Sequence, residues 1–354
     1  MPTFAGSLRR LVFTPSLAKV SFEGRGFPVI ASPATRRLEA IPQAVVCGFE
    51  WGIDARSTWE TERRLAMVDP ALRGFAYEGA VMATTILDAM SGGHRTRDLL
   101  RGPGEPHIFL AYIGMGFAMA RLPRMKWRNV IPDLSGSPYY PTMSWLAVDG
   151  YGFDRAYFDT RRWVEGRHSP SPYPWDGAPG YFHRALDQGI GRALWFIHGA
   201  SVPDVAAAVV RFAAARQADL WSGVGLAATF AGGTDEAGLR TLRESAAAYA
   251  PDLAQGAVFA AKARSYAGFV PEDTHAAVAA LTGGTVAEAV TVADATAVPP
   301  ASRNPTRRAH HDGGQDYCTG STRPAYESWR QAVRAKFEPF SRDSASIPGQ
   351  HIGS

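Results

Sequence analysis

Residues 185–233 read ALDQGIGRALWFIHGASVPDVAAAVVRFAAARQADLWSGVGLAATFAGG, and the stretch says one thing twice. ALDQGIGRALWFIHGA (185–200) and ADLWSGVGLAATFAGG (218–233) each set a Gly-x-Gly inside an apolar segment, with a polar residue just before the first glycine. Between them Pro203 opens VPDVAAAVVRFAAARQ, whose apolar residues recur at helical spacing, and proline is well suited to a first helical turn.

Working outward, the same pattern returns in FAYEGAVMATTILDAMSGG (75–93), FLAYIGMGFAMARLP (109–123), LAVDGYGFDRAYFDT (146–160) and LAQGAVFAAKARSYAG (253–268). The glycines at the shared position are Gly79, Gly114, Gly150, Gly189, Gly223 and Gly256. They lie 35, 36, 39, 34 and 33 residues apart, the period of a two-helix repeat. The expected fold is therefore mainly α: tandem helical hairpins of the α-solenoid, tetratricopeptide-like kind. Gly232-Gly233 and Gly268 fall where the first helix of a pair must turn, a position favouring left-handed backbone. Gly189 and Gly223 are read as tight helix–helix contacts, so Gly223→Leu is expected to destabilise by roughly 1–3 kcal/mol.

By this reading residues 1–48 form a small mixed segment, with β-leaning stretches at Phe27–Ile30 and Ala44–Cys47, and Asp54–Met67 is a helix. Residues 49–298 form the repeat domain, with at least five antiparallel helical pairs over 70–298. Prolines 103, 106, 123, 132, 138 and 141 break the partner helices of its first half, leaving long loops, above all at Arg161–Pro179. Residues 299–340 are turn-rich with a final helix at Tyr326–Phe337, and 341–354 are expected to be a disordered tail.

Apolar residues make up 46% of the 354, enough for a sizeable core. Of the 37 basic residues only four are lysine, and the arginines are scattered. That is a composition bias and not the dense basic stripe that phosphate neutralisation needs, so no nucleic-acid partner is expected. Cys47 and Cys318 cannot build a disulfide framework. The longest apolar run, Ile108–Ala120, is too short for a bilayer and reads as a buried helix. No secretion signal is visible, so the cytoplasm is the expected compartment.

The Gly-x-Gly at 114, 189 and 223 lacks the strand before it and the acid after it that a dinucleotide site requires; close helix contact explains its recurrence. One position before the repeat glycine the units read Glu78, Ile113, Asp149, Gln188, Ser222 and Gln255. Stacked repeats align equivalent positions, so this column is expected to face a groove. Glu78, Asp149 and Asp187, with His183 four residues before Asp187 on one helix face, are the candidate catalytic groups. Gln188, Arg192, Asp219, Trp195 and Trp221 are the candidate substrate contacts, an aromatic wall with a few convergent polar groups suiting a long apolar ligand. Each has a plainer reading as repeat packing or a surface ion pair. The densest ligand cluster, His310-His311-Asp312 with Asp316, is a loop whose adjacent histidines diverge; no metal site is expected, and no residue points to a cofactor.

PALRGFAYEGAVMA (70–83), AVDGYGFDRAYFD (147–159) and the two blocks quoted first, in that order, resemble a bacterial family of unknown function usually labelled enediyne biosynthesis protein, of the UnbL type. The resemblance spans roughly residues 5–340. It implies a setting beside an enediyne polyketide synthase, which makes a linear conjugated polyene, and beside UnbV-type and membrane-bound UnbU-type proteins. It thus implies a part, within a complex, in an oxidative step towards the enediyne core, with the chain peripheral to the membrane through a partner. It carries no catalytic residues over. Two other readings remain open: a non-catalytic scaffold for the neighbouring proteins, and a terpene-cyclase-like enzyme, which lacks its expected DDxxD segment.

Overall fold

A computed structural model describes residues 17–298 and 323–338. Among them there is no strand. Seven long helices follow one another, each packed on the next: α1 (Pro33–Asp54), α3 (Pro70–Ser91), α5 (Ile108–Met119), α6 (Trp145–Phe158), α7 (Phe182–Ile197), α9 (Ala214–Ala231) and α11 (Ala250–Tyr266). Shorter outer helices return the chain after five of them: α2 (Thr58–Ala66), α4 (Arg95–Leu100), α8 (Val202–Val210), α10 (Glu236–Ala246) and α12 (Glu272–Thr282). After α5 and α6 the return is made by 3₁₀ and π turns such as Arg124–Asn129 and Arg161–Glu165, and the stretches that follow them carry Pro132, Pro138 and Pro141 in the first case and Pro170, Pro172, Pro174 and Pro179 in the second, which deny a regular helix its donors. Only four helical pairs therefore lie within 70–298. Two further helices, α13 (Val286–Thr296) and α14 (Ala325–Arg334), pack against α11.

Three expectations need correcting. The β-leaning Ala44–Cys47 lies inside α1, because its valines sit where α1 meets α3, and that packing overrides their strand preference. Phe27–Ile30 is extended but unpaired: Phe27 sets its ring edge-on to Tyr157 at 5.0 Å. The segment 202–217 is also not one helix; it breaks at 211–213, and α9 starts at Ala214. The expected tail at 341–354 and the whole of 299–322 lie outside the described residues.

Helix ends follow local chemistry. Ser32 caps α1 through a capping box with Thr35, and Asp69 caps α3, each followed by proline in the first turn. Gly232, Gly233 and Gly268 have φ of +66°, +107° and +77°, as a turn at the end of a helix requires. Every residue of α5 is buried, so the long apolar run belongs to the core. No single helix among the described residues is long and apolar enough to cross a membrane.

The repeat glycines occupy equivalent places. A Cβ on Gly114 would fall on the carbonyl oxygen of Glu78, on Gly150 that of Ile113, on Gly189 that of Asp149, on Gly223 that of Gln188, and on Gly256 that of Ser222. In each case the oxygen belongs to the residue just before the preceding unit's glycine. The second glycine of each Gly-x-Gly looks forward: Gly116, Gly152, Gly191 and Gly225 rest on Ala147, Leu186, Leu220 and Leu253, three residues before the next unit's glycine. The rule also exposes a unit the glycine spacing hides. Gly79 rests on Val45 and Gly48 rests on Ala76, so Val46 holds the glycine position of a first repeat, 33 residues before Gly79.

The row of helices curls back on itself. Phe230 of α9 meets Phe75 of α3 edge-to-face at 5.3 Å, and Arg264 of α11 donates to the carbonyl oxygens of Ala71 (2.9 Å) and Phe230 (2.6 Å) while its guanidinium lies 3.9 Å over the Phe230 ring. Burial pushes this arginine down to about 10. The N-terminal segment closes one end of α6: Tyr157 Oη–H donates to Val20 O (2.6 Å), and Arg25 donates to the carbonyls of Tyr157 and Phe158.

Candidate functional site

The curled row encloses an apolar slot that all seven long helices line. It takes up about 1100 Å³ between side chains, mouth included, of which about 90 Å³ is wide enough for the centre of a water molecule. Narrowness follows from the glycine contacts, which draw the axes together.

The wall is a column of its own. Three residues after the glycine position the units read Phe49, Met82, Phe117, Phe153, Arg192, Leu226 and Phe259, and all seven line the slot. Residues three and four apart share a helix face, so the column one before the glycine looks the same way wherever nothing intervenes. Val45, Glu78 and Ile113 do line the slot, whereas Asp149, Gln188, Ser222 and Gln255 belong to a buried polar network that α14 completes.

In that network Gln188 Nε2–H donates to Asp149 Oδ2 (2.7 Å) and to Tyr326 Oη (2.9 Å). Arg192 donates to Asp149 Oδ1. Arg330, buried, donates to Asp219 (2.8 Å), Tyr181 Oη (2.7 Å), Gln255 Oε1 (3.1 Å) and Glu327 (3.2 Å). Burial works against its charge, but Tyr181, Asp219 and Glu327 outweigh burial and hold it protonated. Asp219 also takes Arg184 (2.9 Å), so this candidate substrate contact is committed to ion pairs away from the slot.

The other candidates separate. Asp187 receives three donations from Arg216 at 2.6–3.1 Å, and His183 Nε2–H donates to Pro170 O (2.6 Å), so the pair is anchored to different partners. Trp195 donates to Gly232 O (2.8 Å) and Trp221 is fully buried; neither lines the slot. Of the nine candidates only Glu78 and Arg192 face it, with Asp149 held to Arg192 behind the wall. The phenylalanines of the wall are the residues that the sequence reading missed. Among the described residues no cluster of three or more His, Cys, Asp or Glu could hold a metal ion; His310, His311, Asp312 and Asp316 lie outside them.

Glu78 is 2% exposed, and burial, offset by Arg192 and reinforced by Asp149, pushes its carboxyl up to about 8. Below its ordinary value of 4.5 the folded and unfolded chains are both protonated here. Between that value and about 8 the unfolded chain loses the proton and the folded one keeps it, so Glu78 subtracts stability as pH rises through this window and adds no further slope above it. Glu78→Gln should abolish that component. The stability gap between variant and parent, from urea melts, should widen by roughly 2–4 kcal/mol from about pH 5 to about pH 8. A constant gap would show that the carboxyl ionises normally.

Neither curated proteins nor solved structures yield a match to this chain. A family match does cover almost all of it, residues 4–337, and the repeats, the slot and α14 lie within that span. The chain belongs to the family described as protein of unknown function, DUF1702.

Proposed function

We propose that the protein binds a long, apolar, polyene-derived intermediate in the slot and acts as an accessory of enediyne polyketide biosynthesis during formation of the enediyne core, in a complex with UnbV-type and UnbU-type proteins. The observation that carries the binding reading is the wall column: six of its seven members are apolar and come from six different helices, so a threaded chain would meet hydrocarbon and aromatic surface along its length. The pathway reading rests on the sequence blocks that resemble the enediyne accessory family. The oxidative role is drawn from that setting, and the complex supplies whatever redox chemistry the step needs.

The test is a titration of the purified chain with a linear conjugated polyene hydrocarbon, followed by the shift of the polyene absorption. Saturable one-to-one binding is expected. Ala227 lines the slot, so Ala227→Trp should fill it and weaken binding by at least about tenfold while the protein still folds. Absence of saturable binding, or equal affinity in a folded Ala227→Trp variant, would remove the slot from the proposal. In a host carrying the whole pathway, the same variant should lower enediyne output.

A further inference from the structure

The slot contains one polar group that the fold leaves without a use. Glu78 faces it, almost fully buried, and makes no hydrogen bond to any described residue. Arg192 faces the same space, lies 5.0 Å over the Phe153 ring of the wall, and makes one hydrogen bond, to Asp149, among the described residues. The Arg192–Asp149 pair cancels its own charge. A neutral Glu78 then leaves the slot electrically balanced, with one O–H donor and spare guanidinium N–H donors directed at a hydrocarbon-lined space. Buried donors without acceptors are costly, and an apolar ligand would leave these as they are.

We propose that the chain bound in the slot ends in a neutral carbonyl, a ketone or aldehyde conjugated with the polyene, whose oxygen accepts from Glu78 and Arg192. This rests on the slot as the binding site and adds the chemical class of its ligand. A hydrocarbon satisfies neither donor. A carboxylate would satisfy both but would bring a buried negative charge into a site whose two arginines, Arg192 and Arg121, are already paired with Asp149 and Asp154. A carbonyl oxygen accepts two hydrogen bonds and brings no charge.

The experiment compares three polyenes of equal length in the same absorption titration: the hydrocarbon, the terminal methyl ketone and the terminal carboxylic acid. The ketone should bind about tenfold more tightly than the hydrocarbon and the acid at neutral pH, with a further red shift of its absorption as the polarised enone accepts hydrogen bonds. Glu78→Leu should reduce the ketone to the hydrocarbon's affinity and remove the extra shift, while Glu78→Gln, which keeps an N–H donor, should retain most of both. Equal affinity of ketone and hydrocarbon for the parent protein, or an undiminished preference in Glu78→Leu, overturns the carbonyl assignment and leaves slot binding standing. Tightest binding of the acid overturns it as well. If none of the three binds, the slot reading fails with it.

Discussion

Replacing Gly189 with alanine should cost about 3–5 kcal/mol of folding stability, more than most surface or core substitutions do. The added Cβ would coincide with the carbonyl of Asp149 and crowd the amide of Phe153, and both are backbone atoms of α6. No rotamer change relieves such a contact; α6 and α7 must part, and with them the Arg192–Asp149 pair that spans them. The same reasoning raises the figure for Gly223→Leu above the 1–3 kcal/mol expected from side-chain overpacking alone, since its first carbon already strikes Gln188 O and the Arg192 amide. Gly180 is the control: it has no left-handed φ and nothing near the position of a Cβ, so Gly180→Ala should change stability by no more than about 0.5 kcal/mol. Chemical denaturation of the two variants decides the matter. Equal, small effects would mean that the helices slide apart freely and that the glycine spacing carries no packing constraint.

Removing Arg330 should be nearly as damaging, at about 3–5 kcal/mol for Arg330→Leu. Its guanidinium serves acceptors on four residues, Tyr181, Asp219, Gln255 and Glu327, and leucine leaves two buried carboxylates with Arg184 as their main remaining cation. Arg330→Lys should recover only part of the loss, because an ammonium cannot reproduce a planar fork reaching several acceptors. The defect should be local first. Amides of α14, Ala325–Arg334, should exchange with solvent faster than those of α9 and α11 in the variant. A leucine variant within about 1 kcal/mol of the parent would mean that the network is dispensable for docking α14.

Much of the frame was legible because one physical demand, the absence of a Cβ at a backbone crossing, recurs at a fixed spacing. Gly79 through Gly256 announced it, and the structure puts each on the equivalent carbonyl. The first unit escaped notice for the same reason read backwards: among the described residues no long helix precedes α1, so no glycine is demanded of Val46 by such a crossing there. The site was harder to read. A helix such as α5, apolar all round, gives no moment from which its inner side can be inferred, so the polar residues before each glycine were the natural choice. That column splits, Glu78 reaching the slot while Asp149 and Gln188 turn into a network whose last members, Tyr326 and Arg330, lie far along the chain. No spacing argument could anticipate α14 there. The informative column stood three residues past the glycine, where Arg192 interrupts an otherwise apolar series.

The alternation of glycine contacts and wall residues also divides responsibilities along each helix. Backbone set on backbone fixes the gap between neighbouring staves, so the bore is governed by how many staves there are and hardly at all by what they carry. Substitutions at the wall positions can then retune which molecules fit without moving the frame. A gain or loss of one whole unit would change calibre in a single step, as adding or removing a stave does to a cask.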